Sequence, residues 1–162
     1  MERPDPSDDK ATWRRWVRQL PPPAGAADVR RHLEAFLGTD PGLVGAYEVL
    51  PGEVDLAELV AGFAEVALPR HDGDAVTFHV ADGALVDPAE LDVLLVPGRA
   101  FDRRGIRLGR GGGHYDRFLP RLRAGVPVVG VTVDERVVPR LPAEPHDVPM
   151  THLATESGVR AV

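Results

Sequence analysis

Four consecutive apolar residues, Val93-Leu-Leu-Val96, stand between Asp92 and Pro97, and a stretch rich in Gly and Arg follows them. A short, unbroken apolar run is the pattern of a strand buried on both faces, and such strands belong to parallel sheets covered by helices on each side. Val126–Val133 has the same character, and strand-like segments at Leu43–Leu50 and Val66–Leu68 precede it. Val76–Val80 and Leu85–Val86 read as a hairpin turning through Ala81-Asp-Gly-Ala84. Helical spacing appears over Asp9–Leu20, with Trp13, Trp16, Val17 and Leu20 on one side and Pro21-Pro-Pro23 as a stop. It recurs over Asp28–Leu37, ended by Gly38, over Leu56–Phe63 with Asp55 as its N-cap, and over His114–Leu122. Strands alternating with helices predict an α/β layered domain with a largely parallel sheet. The Pro-rich tail from Arg136 to Val162 fits no single element.

The chain has 162 residues, which suits one domain over 1–162, with residues 1–9 as a loose polar arm. It contains no Cys, which excludes a disulfide scaffold, a cysteine-ligated metal and a thiol nucleophile. Its only serines, Ser7 and Ser157, lie near the termini, which argues against covalent serine catalysis. No apolar run reaches the ~20 residues of a membrane span, and the first residues resemble no signal or transit peptide. The expectation is a cytoplasmic monomer without membrane contact.

Net charge is −6, against a general nucleic-acid binder. Yet Arg99–Arg123 holds eight Arg against two Asp, a basic island in an acidic chain, suited to gathering one anion. Within it, Gly109, Gly111, Gly112 and Gly113 let backbone N–H groups approach phosphate oxygens, and the next helix adds its positive end. Arg107 and Arg117 can add charge-assisted bonds. Neither common phosphate motif is present. A P-loop needs Gly-Lys-Ser/Thr where this chain has Gly113-His-Tyr115, and a dinucleotide fingerprint from Gly109 needs glycine at position 114. A solvated Arg/Gly loop stays open as the plainer reading. An RNA-touching Arg-Gly segment is weak, because there is one short copy.

The run Leu91-Asp-Val-Leu-Leu-Val-Pro-Gly-Arg-Ala-Phe-Asp-Arg-Arg-Gly-Ile-Arg-Leu-Gly-Arg-Gly-Gly-Gly-His-Tyr-Asp-Arg-Phe-Leu119 resembles the signature of the 5-formyltetrahydrofolate cyclo-ligase family. In that family a strand ending Val-Pro-Gly leads to Ala-Phe-Asp and then Arg-Leu-Gly-Tyr-Gly-x-Gly-Tyr-Tyr-Asp-Arg. Weaker echoes follow the family's order: Lys10-Ala-Thr-Trp-Arg14, Tyr47 through Pro51-Gly-Glu-Val-Asp55, and Leu141-Pro-Ala-Glu-Pro-His-Asp147.

The resemblance implies a three-layer α/β/α fold with a mostly parallel sheet, shared with sugar-phosphate isomerases and CoA transferases (NagB/RpiA/CoA transferase-like). It implies that ATP phosphorylates the formyl oxygen of 5-formyltetrahydrofolate, and that ring closure releases phosphate to give 5,10-methenyltetrahydrofolate. Such a step needs positioned cations more than a protein nucleophile. On this basis Lys10, Arg14, Arg107, Gly109, Gly111, Gly113 and Tyr115 would hold ATP. Asp116 and Asp147 would hold Mg²⁺, and Glu53 would hydrogen-bond the folate. Arg110 and His114, on the folate side, stand where the family carries aromatic rings. The family's Gly-Ile-x-Glu-Pro stretch is absent around Gly83–Pro88. These departures leave an alternative: a member that binds nucleotide or folate without turnover. His146 and His152 have no standard zinc spacing, and His32, His71 and His79 read as surface or turn residues.

Overall fold

The computed structural model describes residues 1–162. Its main sheet has eight strands: β1 (Leu43–Gly45), β2 (Glu65–Asp72), β3 (Ala75–His79), β4 (Leu85–Val86), β5 (Val93–Pro97), β8 (Val128–Val131), β10 (His152–Thr155) and β11 (Gly158–Ala161). The spatial order is β11-β10-β8-β5-β1-β2-β3-β4. β10, β8, β5, β1 and β2 are mutually parallel, and antiparallel strands finish both edges. A smaller sheet joins β6 (Ala100–Asp102), β7 (Arg107–Leu108) and β9 (Val137–Val138).

Alternation along β5 divides the core. Val93 and Leu95 face one side with Val29 and Leu33 of α2 (Ala26–Leu37) and Leu59 of α3 (Ala57–Val60). Leu94 and Val96 face the other side with Tyr115 and Phe118 of α4 (His114–Phe118) and with Phe101. Helices therefore flank the sheet on both faces, the three-layer arrangement. A third cluster packs Trp13, Trp16 and Val17 of α1 (Lys10–Val17) on Ala100, Leu108 and Val138 of the small sheet. A Cβ at Gly130 would lie 2.5 Å from the Phe101 ring, so glycine in β8 is what lets that ring close on the sheet.

Several expected bounds change. α1 is capped by Asp9, which accepts from the Thr12 amide at 2.8 Å, but ends at Val17 with a looser turn to Leu20. α3 is one turn, and Asp55 sits one residue before its cap, accepting from the Ala57 amide at 2.9 Å. β1 stops at Gly45. β2 extends to Asp72 because its second half leaves β1 and pairs with β3, where Pro69 lies on an outer edge and its missing N–H costs nothing. The long Gly/Arg loop contains the β6–β7 hairpin, and the tail supplies β9, β10 and β11. Residues Asp5–Asp8 form a side-chain-bonded turn, and Arg3 lies over Trp16.

Candidate active site

Numbered among themselves, the five parallel strands run 5-4-3-1-2, and the order reverses between β1 and β5. Ligands of such sheets bind beyond the carboxyl ends at that reversal. A cavity of about 200 Å³ lies there. Its walls include Tyr47 and Glu53 after β1, Pro69 and His71 of β2, Pro97 ending β5, and Arg107, Arg110, Gly113, His114 and Tyr115.

The segment after β1 is closed by the Tyr47 hydroxyl, which donates to the Val54 carbonyl at 2.7 Å. Burial, then the nearby Glu53 charge, pushes the Tyr47 phenol well above its ordinary range, so it stays a donor. This closure sets Glu53 in the cavity wall with its side chain 6% exposed. Glu53 Oε2 accepts from the Leu50 amide at 3.0 Å, and Oε1 faces Arg110 Nη2 at 3.6 Å.

β5 runs into Gly98, and the β6–β7 hairpin folds back so that Arg107 Nη1 donates to the Pro97 carbonyl at 2.9 Å. Its guanidinium lies 4.8 Å from the centre of the Tyr115 ring. Burial lowers the Arg107 pKa and raises that of Tyr115, yet a guanidinium remains charged. No carboxylate lies within ion-pair range of Arg107, so a full positive charge faces the cavity and is available to an anion. Gly113, at φ 65°, begins α4 in the left-handed region that disfavours any side chain. Arg14 Nε donates to the Gly109 carbonyl at 2.9 Å, and Gly111 packs beside the same guanidinium. α1 is thereby fastened to the glycine loop.

The predicted acids come together from distant parts of the chain. Donor atoms of Asp116, His146 and Asp147 all lie within 4.8 Å of one another. Lys10 Nζ donates to both oxygens of Asp147, at 2.7 and 2.9 Å, so its ammonium, assigned to phosphate from the sequence, balances this carboxylate. Two carboxylates suit a hard divalent cation that completes its shell with phosphate oxygens and water. The tail thus meets the first turns of α1 and α4. Glu53, Arg107, Arg110, Gly113, His114 and Tyr115 line the cavity; Lys10, Arg14, Gly109, Gly111, Asp116 and Asp147 lie outside its lining.

Four side chains make contacts that the sequence does not report. His71 is exposed, as a surface residue should be, yet it shares a strand face with Pro69 and meets His114 edge-on, with ring centres 4.9 Å apart. Their spacing of two in a strand was the available signal. His146 joins the acid pair, and its adjacency to Asp147 was the only hint. His114 Nε2 and Arg117 reach the carbonyls of Gly73 and Asp74, bracing the loop on the β2–β3 turn.

Fold and site define an α/β protein with a cavity lined by two arginines and two glutamates at the reversal of a parallel sheet, and a paired-acid cluster beside it. Residues 80–156 match the 5-formyltetrahydrofolate cyclo-ligase family. An NMR structure of the Aquifex aeolicus 5,10-methenyltetrahydrofolate synthetase superposes with a TM-score of 0.77 at 30% identity, over 94% of this chain and 92% of that one. The Mycoplasma pneumoniae synthetase gives a TM-score of 0.80 at 24% identity, over 92% and 99%. A cyclo-ligase of Mycolicibacterium smegmatis is 53% identical over 66 residues, 41% of this chain and 34% of that protein. That of Escherichia coli K12 is 43% identical over 72 residues, 44% and 40%. The chain belongs to the 5-formyltetrahydrofolate cyclo-ligase family. Its matches to these two curated relatives cover about a third and two fifths of their lengths. No helix is long and apolar enough to cross a membrane.

Proposed function

We propose that this chain, as one domain over 1–162, cyclises 5-formyltetrahydrofolate to 5,10-methenyltetrahydrofolate at the expense of ATP, releasing ADP and phosphate. The observation that carries the reading is the meeting of Asp116, in the first turn after the glycine loop, with Asp147 from the tail: their ligand atoms and that of His146 all lie within 4.8 Å of one another. Acids gathered beside a glycine loop that is flanked by Arg107 of β7 and gripped by Arg14 of α1 suit a nucleotide and its divalent cation.

The difficulty of the reaction is the formyl oxygen, a poor leaving group until it carries the γ-phosphoryl. N10 then attacks the formyl carbon, and the C–O bond breaks with release of phosphate. Arg107, fixed by the Pro97 carbonyl and the Tyr115 ring, offers preorganised positive charge to the oxygen on which charge develops. Arg14 and Lys10, on successive turns of α1, would meet the outer phosphates. Glu53 would accept N–H donors of the pterin, and Arg110 and His114 would border the folate. The cavity is smaller than the ~300–1,000 Å³ of sites that enclose a whole ligand, so it suits the ring system, with the rest of the folate outside. Asp116 and Asp147 would hold Mg²⁺, which when bound neutralises phosphate oxygens.

The test is the absorbance of methenyltetrahydrofolate on mixing the protein with 5-formyltetrahydrofolate, ATP and Mg²⁺. Product that requires all three supports the reading. ATP binding with no product favours a member that holds nucleotide or folate without turnover.

A further inference from the structure

Glu53 and Glu48 are the acids lining the cavity, and only Glu53 has a buried side chain. One of its oxygens is taken by the Leu50 amide. The other faces Arg110, whose Nη2 also donates to the Pro51 carbonyl at 2.9 Å. Arg110 belongs to the glycine loop, whereas Pro51 and Glu53 belong to the segment after β1, so this side chain crosses from one wall to the other. It is 38% exposed and bonds to nothing in its own loop. Arg99, itself without a carboxylate in ion-pair range, is half-buried close enough to repel it; the Arg110 charge helps hold the Arg99 pKa down after burial has lowered it. Arg110 is therefore attracted by a carboxylate and a carbonyl and repelled by a second guanidinium, a position it can leave.

We propose that Arg110 is a specificity-determining strap: it covers Glu53 in the free protein, and a ligand reaches that carboxylate only by displacing it. The ligand then has to replace what the guanidinium gave, a donor for Glu53 and one for the Pro51 carbonyl. A flat heterocycle with two or more adjacent N–H donors does so, and a ligand with a single donor leaves one acceptor unpaired. The identity of the heterocycle as a pterin rests on the function proposed above; the strap does not. Closure also lowers apparent affinity by the fraction of molecules in which the strap is shut. The braces on the other side of the loop, His114 to Gly73 and Arg117 to Asp74, end on backbone carbonyls. Among these braces Arg110 alone makes its contact to a carboxylate, which gives it a distinct response to salt.

Two measurements on wild type and Arg110→Ala decide the matter. Carbodiimide coupling of glycine ethyl ester to Glu53, followed by peptide mass mapping without any ligand, should run about fivefold faster in the variant, the ratio expected for an ion pair of this exposure. Calorimetric binding of 5-formyltetrahydrofolate should be about fivefold tighter in the variant at about 20 mM NaCl, with the ratio approaching one at about 0.5 M. Equal labelling rates overturn the strap, as does weaker folate binding by Arg110→Ala, which would make Arg110 a ligand contact. Faster labelling with no folate binding by either protein upholds the strap and refutes the folate reading.

Discussion

Lys10 and Asp147 are 137 positions apart in the chain and are joined by two hydrogen bonds of 2.7 and 2.9 Å. The first turn of α1 is thus tied to the tail beside the glycine loop. Lys10 is 16% exposed and Asp147 6%, so the pair is largely shielded from water. Burial by itself would raise the Asp147 pKa. The bonds from Lys10 and the Glu144 amide, with the Lys10 charge, outweigh it and leave the carboxyl below its ordinary 3.8.

The sign of the pH effect follows from that depression. A carboxyl whose folded pKa lies below its unfolded value contributes its full stability above about pH 4, and loses it as pH falls through the folded pKa. Asp147→Asn should cost about 1–2 kcal/mol at pH 7, because Lys10 loses its buried partner and keeps only the exposed Glu144 carboxylate at 3.4 Å. Urea unfolding from pH 7 down to 3 should show wild type losing stability below about pH 4 and the variant losing less over the same interval. Parallel curves would mean that the pair contributes nothing.

Asp116 differs from Asp147 in having no hydrogen bond or ion pair with another side chain. Its contribution to the fold is then limited to its place in the first turn of α4, a dipole effect of about 0.3–1 kcal/mol. Asp116→Asn should leave the melting temperature within about 2 °C of wild type, as an unpartnered substitution does. Product formation at fixed Mg²⁺ should fall at least ~100-fold, with partial recovery at higher Mg²⁺. Retention of full activity would remove Asp116 from the cation site.

How much of this was readable in advance depended on the kind of signal. β5 and the β3–β4 hairpin were legible because an unbroken apolar run and a turn-flanked alternation each have one reading. The Arg99–Arg123 island and its glycines marked a loop, while leaving open whether it grips phosphate or is merely solvated. β6, β7 and β9 are two or three residues long, too short to show a period, and only pairing with one another defines them. β10 and β11 lie in a Pro-rich tail whose order comes from β8, a tertiary partner that local propensity does not report. In the site, the nearness of Asp116 to Asp147 followed from resemblance, while the engagement of Lys10 by Asp147 and of Glu53 by Arg110 needed coordinates. Side-chain pairing across distant segments leaves no periodic trace.

Gly113 offers a backbone test. Its φ of 65° makes any L side chain strained, and an added Cβ would come 3.1 Å from Arg117 Nη1. Gly113→Ala should cost about 1–2 kcal/mol in unfolding free energy. Because the residue opens α4, the strain falls on the helix that holds Tyr115 under Arg107, and the KM for ATP should rise about threefold or more while the secondary structure by circular dichroism stays unchanged. A variant with wild-type KM would show that the loop is not held in this conformation during turnover.

Asp102 is fully buried and accepts from five donors. The amides of Arg104 and Ile106 reach Oδ1 at 2.9 and 3.0 Å, and Arg104 Nε, Arg104 Nη2 and the Leu141 amide reach Oδ2 at 3.0, 2.6 and 2.9 Å. Two of these bonds close the turn between β6 and β7, and a third ties the hairpin to the tail. Asparagine has the same size but only one acceptor oxygen, so its NH₂ would face donors at one of the two positions. Asp102→Asn should therefore destabilise by about 3 kcal/mol, through lost bonds and buried donors left unpaired. The hairpin carries Arg107, so the loss should spread to the cavity: amide exchange at Ile106 and Leu141 should accelerate, and the KM for ATP should rise with it. If exchange quickens while KM stays fixed, Arg107 is held by Pro97 and Tyr115 alone, and the hairpin serves only the fold.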